Sequence, residues 1–337
     1  MAKKHNRMDK IDFVLVWVDD SDPQWQESYR KYYVQTTGDA ASIRFRDWGT
    51  LKYWFRGIEK FAPWVNNIFF VTCGHVPSWL NLEHPRLRFV KHADYIPAEC
   101  LPTFNSHTIE LNLHRIDELS DKFVYFNDDT FLIDRISSER FFRKGLPCDI
   151  AALNAPQFLG DRTEHILVND IAFANKFFNK REAIGKHPGK WFSPKYGSYL
   201  LRTLALFRYP RFTGFVDPHL PNAFLKKTLS EVWNLYGEKL DHTCKCRFRD
   251  TDQVNQYVFR YYQLVKGSFC PIDPFRTSIT YSSIDDETLQ RAIADVRAQR
   301  KPLICINDGK VTDFKTSKRL LCDAFESILP EKSEFEK

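Results

Sequence analysis

Two adjacent acids at the end of an apolar run are the residues best suited to chemistry in this sequence. Phe123-Val124-Tyr125-Phe126 is followed by Asn127, Asp128 and Asp129. Such a run is typical of a strand covered on both faces, where unpaired carboxylates would be costly, so the acids are expected at the strand's end. Hard carboxylate oxygens there suit Mg²⁺ or Mn²⁺. The alternative is an Asn-Asp turn that caps the next segment, and the motif alone favours neither interpretation.

A histidine bracketed by prolines is the second candidate for chemistry. The segment reads Asp217-Pro218-His219-Leu220-Pro221. Prolines restrict the backbone on both sides, which would aim the imidazole, and histidine is the common general base near neutral pH. A histidine at the start of a helix, here expected over about 223–236, is an equally good interpretation of this stretch.

Basic residues that could hold phosphate lie in two places. Arg46 and Arg56 flank and enter an amphipathic helix predicted over about 49–61, and Arg247 and Arg249 precede another helix. A guanidinium matches phosphate oxygens with two parallel hydrogen bonds. For Arg46 and Arg56 the spacing alone favours a solvated helix face. Cys244 and Cys246 are close together, but one such pair is a weak indication of zinc.

Two more strand ends carry acids. An apolar run over 11–18 stops at Asp19, and Leu303-Ile304-Cys305-Ile306 stops at Asn307 and Asp308. No glycine-rich phosphate loop follows the first strand, so a nucleotide there would need a metal and arginines to neutralise its phosphates. We therefore expect one composite site built from distant parts of the chain.

The elements that must position these residues follow the order strand, helix, strand, strand, helix, strand. Strands are expected over 67–72 and 87–90, and a helix over about 106–119. This order predicts an α/β fold with a doubly wound, mostly parallel sheet. We expect residues 1–148 to form the first part of a nucleotide-binding α/β core. Residues 149–300 would be a mainly helical insertion that carries His219 and Arg249, and 301–337 would supply a last strand and helix to the core.

Composition narrows the class of protein. The 337 residues are 43% hydrophobic and 15% aromatic with a formal charge of +6, which is globular rather than disordered. The mild basic excess suits an anionic small substrate or an acidic membrane surface and is too weak for nucleic acid. No run reaches the ~18 apolar residues of a membrane span. We expect a cytoplasmic protein with reduced thiols that could rest on the inner face of the membrane.

Four ordered motifs resemble those of the Stealth family of capsular polysaccharide phosphotransferases, which is related to the enzyme that puts N-acetylglucosamine phosphate on lysosomal glycoproteins. The motifs are Ile11-Asp12-Phe13-Val14 through Trp17-Val18-Asp19 with Asp22; Arg44-Phe45-Arg46-Asp47 through Pro102-Thr103-Phe104-Asn105-Ser106 to Phe126-Asn127-Asp128-Asp129; Pro218-His219-Leu220-Pro221 through Arg247-Phe248-Arg249; and Cys305-Ile306-Asn307-Asp308. One departure is His75, where the family usually has Gln.

The resemblance implies a core like that of GT-A nucleotide-sugar transferases and an activity in capsule or exopolysaccharide synthesis. It implies that the core over 1–148 binds a nucleotide-sugar and that the insertion over 149–300 is the acceptor region. A sugar-1-phosphate would move from a UDP-sugar to a polysaccharide hydroxyl, forming a phosphodiester and releasing UMP. The resemblance implies that Asp128 and Asp129 hold Mg²⁺ or Mn²⁺ with Asn307 or Asp308. It further implies catalytic roles for His219, Asp129 and Arg249. The implied substrate contacts are Trp17, Val18, Asp19, Asp22, Arg46, Arg56, Asn105 and Arg247.

Two alternatives remain open at this point. The same acids could serve a metal-dependent glycosyltransferase that forms a glycosidic bond, or the chain could be a non-catalytic glycan-binding protein. Release of a nucleoside diphosphate rather than a monophosphate would indicate glycosyl transfer. The sequence gives no indication of the sugar, the acceptor glycan or the oligomeric state.

Overall fold

The computed structural model describes residues 10–33, 46–156 and 162–337, and Arg44 and Phe45 of the second motif lie outside these ranges. The strands of the described residues are β1 (Ile11–Val16), β2 (Ile68–Thr72), β3 (Leu87–Lys91), β4 (Lys122–Phe126), β5 (Thr130–Leu132), β6 (Phe142–Arg143), β7 (Leu146–Asp149), β8 (Asn222–Leu225), β9 (Cys270–Pro271), β10 (Ser278–Tyr281) and β11 (Leu303–Ile306). Their helices are α1 (Pro23–Tyr32), α2 (Leu51–Phe61), α3 (His92–Tyr95), α4 (Ser106–Leu111), α5 (Arg162–Phe177), α6 (Lys180–Lys186), α7 (Pro188–Trp191), α8 (Tyr199–Phe207), α9 (Lys226–Lys245), α10 (Tyr257–Val265), α11 (Asp286–Arg297) and α12 (Phe314–Ile328).

Five strands form the central sheet in the order β3, β2, β1, β4, β8. Strands β1 to β4 run parallel, and β8 pairs antiparallel with β4 at the sheet edge. Val14 of β1 lies opposite Phe69 of β2 and Tyr125 of β4, and all three are buried. The predicted α/β fold with a mostly parallel sheet is confirmed.

Both faces of the sheet are covered by helices. Phe13 and Leu15 pack in one core cluster with Trp54 of α2, whereas Val14 packs in a second cluster with Val232 of α9 and Phe259 of α10. This alternation follows from the two-residue repeat of a strand. The continuous apolar run of β1 is therefore explained by burial on both sides, as expected of a doubly wound sheet.

The winding of the chain changes direction between β1 and β4. From β1 the chain builds β2 and β3 on one side, and it returns to place β4 on the other. Because Leu15 lies opposite Phe126, the segments that follow β1 and β4 leave the sheet side by side. Ligands of such folds bind in the crevice outside the carboxyl strand ends at this point.

The strand that precedes the acids ends where they begin, as expected from the sequence. Strand β4 ends at Phe126, and β5 belongs to a second sheet in the order β10, β11, β5. Asn127, Asp128 and Asp129 therefore occupy a turn between two sheets. The turn is tied down where the Ile306 amide donates to the Asp129 carbonyl at 2.8 Å.

Two predicted helices begin or end differently in the structure. The segment expected to start a helix at about 223 is β8, because the free edge of β4 offers it a ladder of backbone hydrogen bonds. The helix predicted over 106–119 ends at Leu111, and its N-cap is Asn105, not Ser106. Region 149–300 contains helices α5 to α11, and it also supplies β8 to the central sheet and β10 to the second sheet.

Candidate active site

The turn after β4 holds an acid in contact with the proline-bracketed histidine. His219 Nε2 lies 3.0 Å from Asp129 Oδ2, and the Thr130 hydroxyl donates to Asp129 Oδ1 at 3.0 Å. The His219 side chain is 41% exposed, and no partner for its Nδ1 is present among the described residues. One ring nitrogen of His219 is therefore held by a carboxylate, and the side chain is partly exposed to solvent.

The charges of His219 and Asp129 stabilise each other. Burial alone would lower the pKa of His219, but the negative charge and hydrogen bond of Asp129 outweigh burial, so the pKa is raised. Burial would likewise raise the pKa of Asp129, yet the charge and hydrogen bond of His219 bring it below its ordinary value. Asp129 thus stabilises the imidazolium that forms when His219 takes up a proton, as expected for opposite charges in contact.

Asp128 has the opposite electrostatic character. Its side chain reaches solvent but is surrounded by protein, and this desolvation, followed by the negative charge of Asp129, raises its pKa to about 7. The charge of Asp47 adds to the same effect. A group of acids that repel each other in a cleft is the environment that a divalent cation relieves.

The donor atoms fit a hard cation better than a soft one. Asp129, His219 and Cys305 bring ligand atoms within 4.8 Å of one another. The Cys305 thiol is buried, and burial raises its pKa well above the ordinary value, so it offers no thiolate. The Asp129 carboxylate of this group is a donor of the kind that Mg²⁺ or Mn²⁺ prefers, and Asp128 precedes it in the same turn.

The segment that carries His219 is held by buried partners. Arg260 of α10 donates from Nη1 to Asp217 Oδ1 at 2.6 Å and from Nε to Asp149 Oδ2 at 2.8 Å. The hydroxyl of Tyr261 donates to Asp217 Oδ2 at 2.6 Å, and that of Tyr257 to the Pro218 carbonyl at 3.1 Å. Helix α10 therefore positions the two residues that precede His219.

A buried carboxyl lies behind the histidine. The Tyr125 hydroxyl donates to Glu110 Oε1 at 3.1 Å, and Arg249 Nη2 donates to Ser106 Oγ at 2.6 Å. Burial raises the pKa of Glu110, while the positive charge of Arg249 opposes that rise. Charges on Glu110 and Arg249 also act on His219, in opposite directions. Arg249 therefore belongs to the surroundings of His219.

The turn after β1 is arranged by His75. The Asp19 amide donates to His75 Nε2 at 3.0 Å, and the Trp17 ring meets the imidazole edge to face at 5.1 Å. Burial lowers the pKa of His75, which keeps the imidazole neutral and able to accept this bond. Asp22 caps α1 by accepting from the Trp25 amide at 2.7 Å. Val18 is partly exposed beside them.

Arg46 and Asp308 form an ion pair with each other. Arg46 Nε lies 2.9 Å from Asp308 Oδ2, Nη2 lies 2.5 Å from Oδ1, and the guanidinium also stacks 4.1 Å from the Phe314 ring. Both oxygens of Asp308 are thereby engaged. Asp308 can become a metal ligand only when Arg46 moves, and Asn307, at the same strand end, is partly exposed.

The chain was compared with known proteins. Residues 9–32 match Stealth protein conserved region 1, and residues 44–148 match Stealth protein conserved region 2. The chain is 39% identical over 334 residues to "Capsular polysaccharide phosphotransferase WcwK" of Streptococcus pneumoniae, covering 98% of this chain and 99% of that protein. It is 38% identical over 330 residues to "Exopolysaccharide phosphotransferase cps2G" of Lactiplantibacillus plantarum, covering 97% and 96%.

The chain belongs to the Stealth family. Among solved structures it is similar to a crystal structure of the galactosyltransferase LgtC with donor and acceptor sugar analogs, with 11% identity, a TM-score of 0.38 and coverage of 96% and 98%. The matched Stealth regions include Asp19, Asp128 and Asp129. His219 and Asp308 lie beyond them, within the full-length similarity to the relatives.

Two residues expected to contact substrate have other roles in this Stealth protein. The Arg56 side chain is 5% exposed and donates to Glu336 Oε1 at 2.7 Å and to the Leu329 carbonyl at 2.8 Å. Asn105 is fully buried, accepting from the His107 amide and donating to Gln253 Oε1. Both side chains are satisfied inside the protein, so neither is available to a phosphate or a sugar.

Arg247, the other expected substrate contact of this region, lies beside α1. Its guanidinium is 4.8 Å from the Tyr32 ring, and Nη2 donates to the Leu101 carbonyl at 3.3 Å. The side chain is partly exposed. A contact of Arg247 with substrate stays a prediction.

Several residues of the site were missed from the sequence. Glu110 and Arg260 were not identified, because their partners lie in distant segments. A buried Glu or Arg inside an apolar helix is the signal that could have identified them, since such residues are rarely buried unpaired. Asp47, whose charge acts on Asp128, was also missed. Its position directly after Arg46 in the second motif was the available indication.

Proposed function

We propose that this Stealth protein transfers a sugar-1-phosphate from a UDP-sugar to a hydroxyl of a polysaccharide acceptor, forming a phosphodiester and releasing UMP. The observation that carries the proposal is the 3.0 Å contact between His219 and Asp129 beside Asp128, at the reversal point of the sheet. Relatives along the whole chain bear the name phosphotransferase, which supports a transferase acting on polysaccharide.

The acceptor hydroxyl would attack the phosphorus next to the sugar. The new bond joins the acceptor oxygen to that phosphorus, and the bond that breaks joins the phosphorus to the bridging oxygen, which leaves with UMP. The hydroxyl proton would pass to Nδ1 of His219, the ring nitrogen that Asp129 does not contact. Asp129 holds the ring through Nε2 and stabilises the imidazolium that forms, as in other histidine-carboxylate pairs.

Charge neutralisation is the other requirement of phosphoryl transfer. Asp128 and Asp129 would hold Mg²⁺ or Mn²⁺, which supplies positive charge to the diphosphate when bound. Arg249 is placed near His219, where a guanidinium would contact a phosphoryl oxygen. A donor phosphate would compete with Asp308 for Arg46, and the freed Asp308, with Asn307, would then be available to the cation.

The turn after β1 is the proposed uridine site. Trp17 and Asp19 are held by His75, and Val18 lies between them at the carboxyl end of β1. A glutamine at position 75 would offer a carbonyl oxygen to the same Asp19 amide, so His75 preserves an acceptor. Asp22 caps α1, so its proposed contribution to the donor site is to hold the shape of the turn.

The test is the identity of the released nucleotide. The protein is incubated with individual UDP-sugars, Mg²⁺ and capsule oligosaccharides, and the nucleotides are separated by ion-exchange chromatography. UMP formed only in the presence of an acceptor supports the proposal. UDP would establish glycosyl transfer instead, and the absence of any nucleotide product with every donor would leave a binding protein.

A further inference from the structure

Helix α8 exposes an apolar surface that no part of the described structure covers. Of the eight large apolar side chains exposed among the described residues, four lie close together in sequence: Leu201, Leu204, Phe207 and Tyr209. Leu201 is 70% exposed and Leu204 54%. Exposed leucines on successive turns of one helix mark a contact surface rather than scattered surface residues.

The sequence around this surface is basic. No Asp or Glu occurs from 183 to 216, a stretch that contains six lysines and arginines. Lys195, Arg202, Arg208 and Arg211 are exposed, and none forms an ion pair with a carboxylate among the described residues. The α8 surface, defined as Leu201, Leu204, Phe207 and Tyr209 with Arg202 and Arg208, therefore combines apolar and cationic groups.

The helix is firmly attached on its other side. Thr203 is buried and accepts from the Leu153 amide at 3.0 Å, and Lys180 donates to the carbonyls of Leu206 and Tyr209. Leu153 in turn pairs with Phe215, four residues before His219. Helix α8 is therefore connected, through Leu153 and Phe215, to the segment that carries His219.

Charge decides among the possible occupants. A second copy of the chain related by twofold symmetry would bring the same arginines face to face, which is unfavourable. A bilayer with anionic headgroups complements the arginines and accepts the leucines, as amphipathic interfacial helices do. Arg202 also lines an open cavity of about 600 Å³ beside the helix, where its guanidinium, bonded to Asn154 at 2.8 Å, is accessible to a phosphate headgroup.

We propose that the α8 surface docks the protein on an anionic membrane, with Leu201, Leu204 and Phe207 entering the headgroup boundary and Arg202 and Arg208 contacting lipid phosphates. The inference goes beyond the proposed chemistry and does not depend on it, because membrane binding is measured without donor or acceptor. None of the residues of the α8 surface has a role in the candidate active site.

The test is cosedimentation with vesicles of mixed phosphatidylglycerol and phosphatidylcholine, and with vesicles of phosphatidylcholine alone. The wild type should bind the anionic vesicles and lose binding at high salt. Leu201→Asp/Leu204→Asp should lower the partition coefficient by about tenfold or more. Arg202→Gln/Arg208→Gln should lower it by a similar factor, since each cation contributes roughly fivefold near an anionic surface.

The matched control is Leu82→Asp/Leu235→Asp, which adds the same charge at leucines that are 40% and 39% exposed elsewhere. This variant should bind as the wild type does, and all variants should keep their circular dichroism and their turnover of a water-soluble oligosaccharide. Equal losses in the control and the α8 variants would overturn the proposal, as would a wild type that binds no anionic vesicle. If light scattering shows that the wild type is a dimer and that only the α8 variants are monomers, the proposal is wrong and the surface binds a second copy of the chain.

Discussion

His219 has one ring nitrogen held by a carboxylate and a side chain that is partly exposed. Asp129 contacts Nε2 at 3.0 Å, and no partner for Nδ1 is present in the part of the chain that the structure describes. A general base needs this asymmetry, because one nitrogen must be oriented while the other takes the proton.

His219→Ala should lower turnover by about 10²- to 10⁴-fold, the usual contribution of a positioned acid or base. Donor affinity, measured by calorimetric titration with UDP-sugar, should barely change. The control is His242→Ala, which removes another histidine-carboxylate contact, 2.6 Å to Asp252, at an exposed site on α9. Turnover near the wild-type value in folded His219→Ala protein would exclude the histidine from the chemistry.

Asp128→Asn should abolish transfer without lowering the melting temperature. The pKa of Asp128 is raised to about 7 from an ordinary 3.8, so the folded protein holds this proton more tightly than the unfolded chain does. Stability therefore falls as the pH rises from about 4 to about 7, and at pH 8, where Asp128 is ionised in both states, the neutral amide should leave stability unchanged or higher. Turnover and melting temperature are measured together.

Chelation by EDTA should mimic the substitution, and Asp129→Asn should also inactivate the protein because it removes the partner of His219. Asp121→Asn, at the amino end of the same strand β4, serves as the control for a lost exposed acid. Full wild-type turnover in EDTA would remove the cation from the proposal. A melting temperature several degrees lower in Asp128→Asn would indicate a structural turn instead.

At the scale of elements, α10 determines where His219 lies. Tyr257, Arg260 and Tyr261 contact the two preceding residues, and all three side chains are buried. Arg260 is shared between Asp149 and Asp217, so its removal would leave two buried carboxylates uncompensated and cost about 3–5 kcal/mol. Such a variant would test stability and not positioning.

Tyr257→Phe is the sharper test of positioning. It removes the 3.1 Å hydrogen bond to the Pro218 carbonyl and should cost about 1 kcal/mol of stability. Because a shift of ~1 Å at a reacting group can cost as much as 10²-fold, kcat should fall while KM for the donor stays constant. The control is Tyr95→Phe, which also removes a hydroxyl bonded to a backbone carbonyl, that of Ile109, at 3.2 Å. Equal effects of both variants on kcat would contradict a positioning role.

Strand prediction succeeded where burial on both faces leaves a short, purely apolar run. The strands expected over 11–18, 67–72, 87–90 and 303–306 each agree with the structure within two residues at either end. Strand β8 was missed because Asn222-Ala-Phe-Leu becomes a strand only through its pairing with β4, about a hundred residues earlier. Pairing across such a distance leaves no mark in local periodicity.

The same limit applies to the site residues proposed from the sequence. Asp128, Asp129 and His219 were proposed from local patterns, a strand end and a proline bracket, and His219 contacts Asp129 in the structure. Arg56 contacts Glu336, 280 residues away, and spacing along a helix does not reveal such a partner.

At the scale of the molecule, the carboxyl-terminal segment closes the fold. Phe335 is fully buried, and the backbone of Leu80 pairs with that of Glu336. Arg56 donates to the Glu336 carboxylate. These contacts join α2 to the end of the chain. Among the described residues, no helix has the combined length and hydropathy required to cross a bilayer.

Acid should destabilise the whole fold through buried histidines. Burial lowers the pKa of His92 to about 3, and neither of its ring nitrogens has a partner among the described residues. Between pH 6.5 and 3 the unfolded chain binds a proton at this position that the folded protein does not, so stability falls as the pH falls. At pH 5 the loss from His92 is about 2 kcal/mol.

Urea unfolding at pH 7.5 and pH 5 measures this loss. His92→Leu should keep or increase stability at pH 7.5 and should lose about 2 kcal/mol less than the wild type on acidification. Identical losses in the two proteins would show that His92 does not contribute to acid sensitivity.

The fate of the donor's two phosphorus atoms tests the central claim most directly. A UDP-sugar carrying ³²P only in the phosphate attached to the sugar is incubated with wild-type protein, Mg²⁺ and acceptor, and the label is followed. Transfer of sugar-1-phosphate predicts that the label enters the polysaccharide in a phosphodiester while unlabelled UMP is released. Label recovered in UDP, with sugar but no phosphorus in the polysaccharide, would contradict the proposed function.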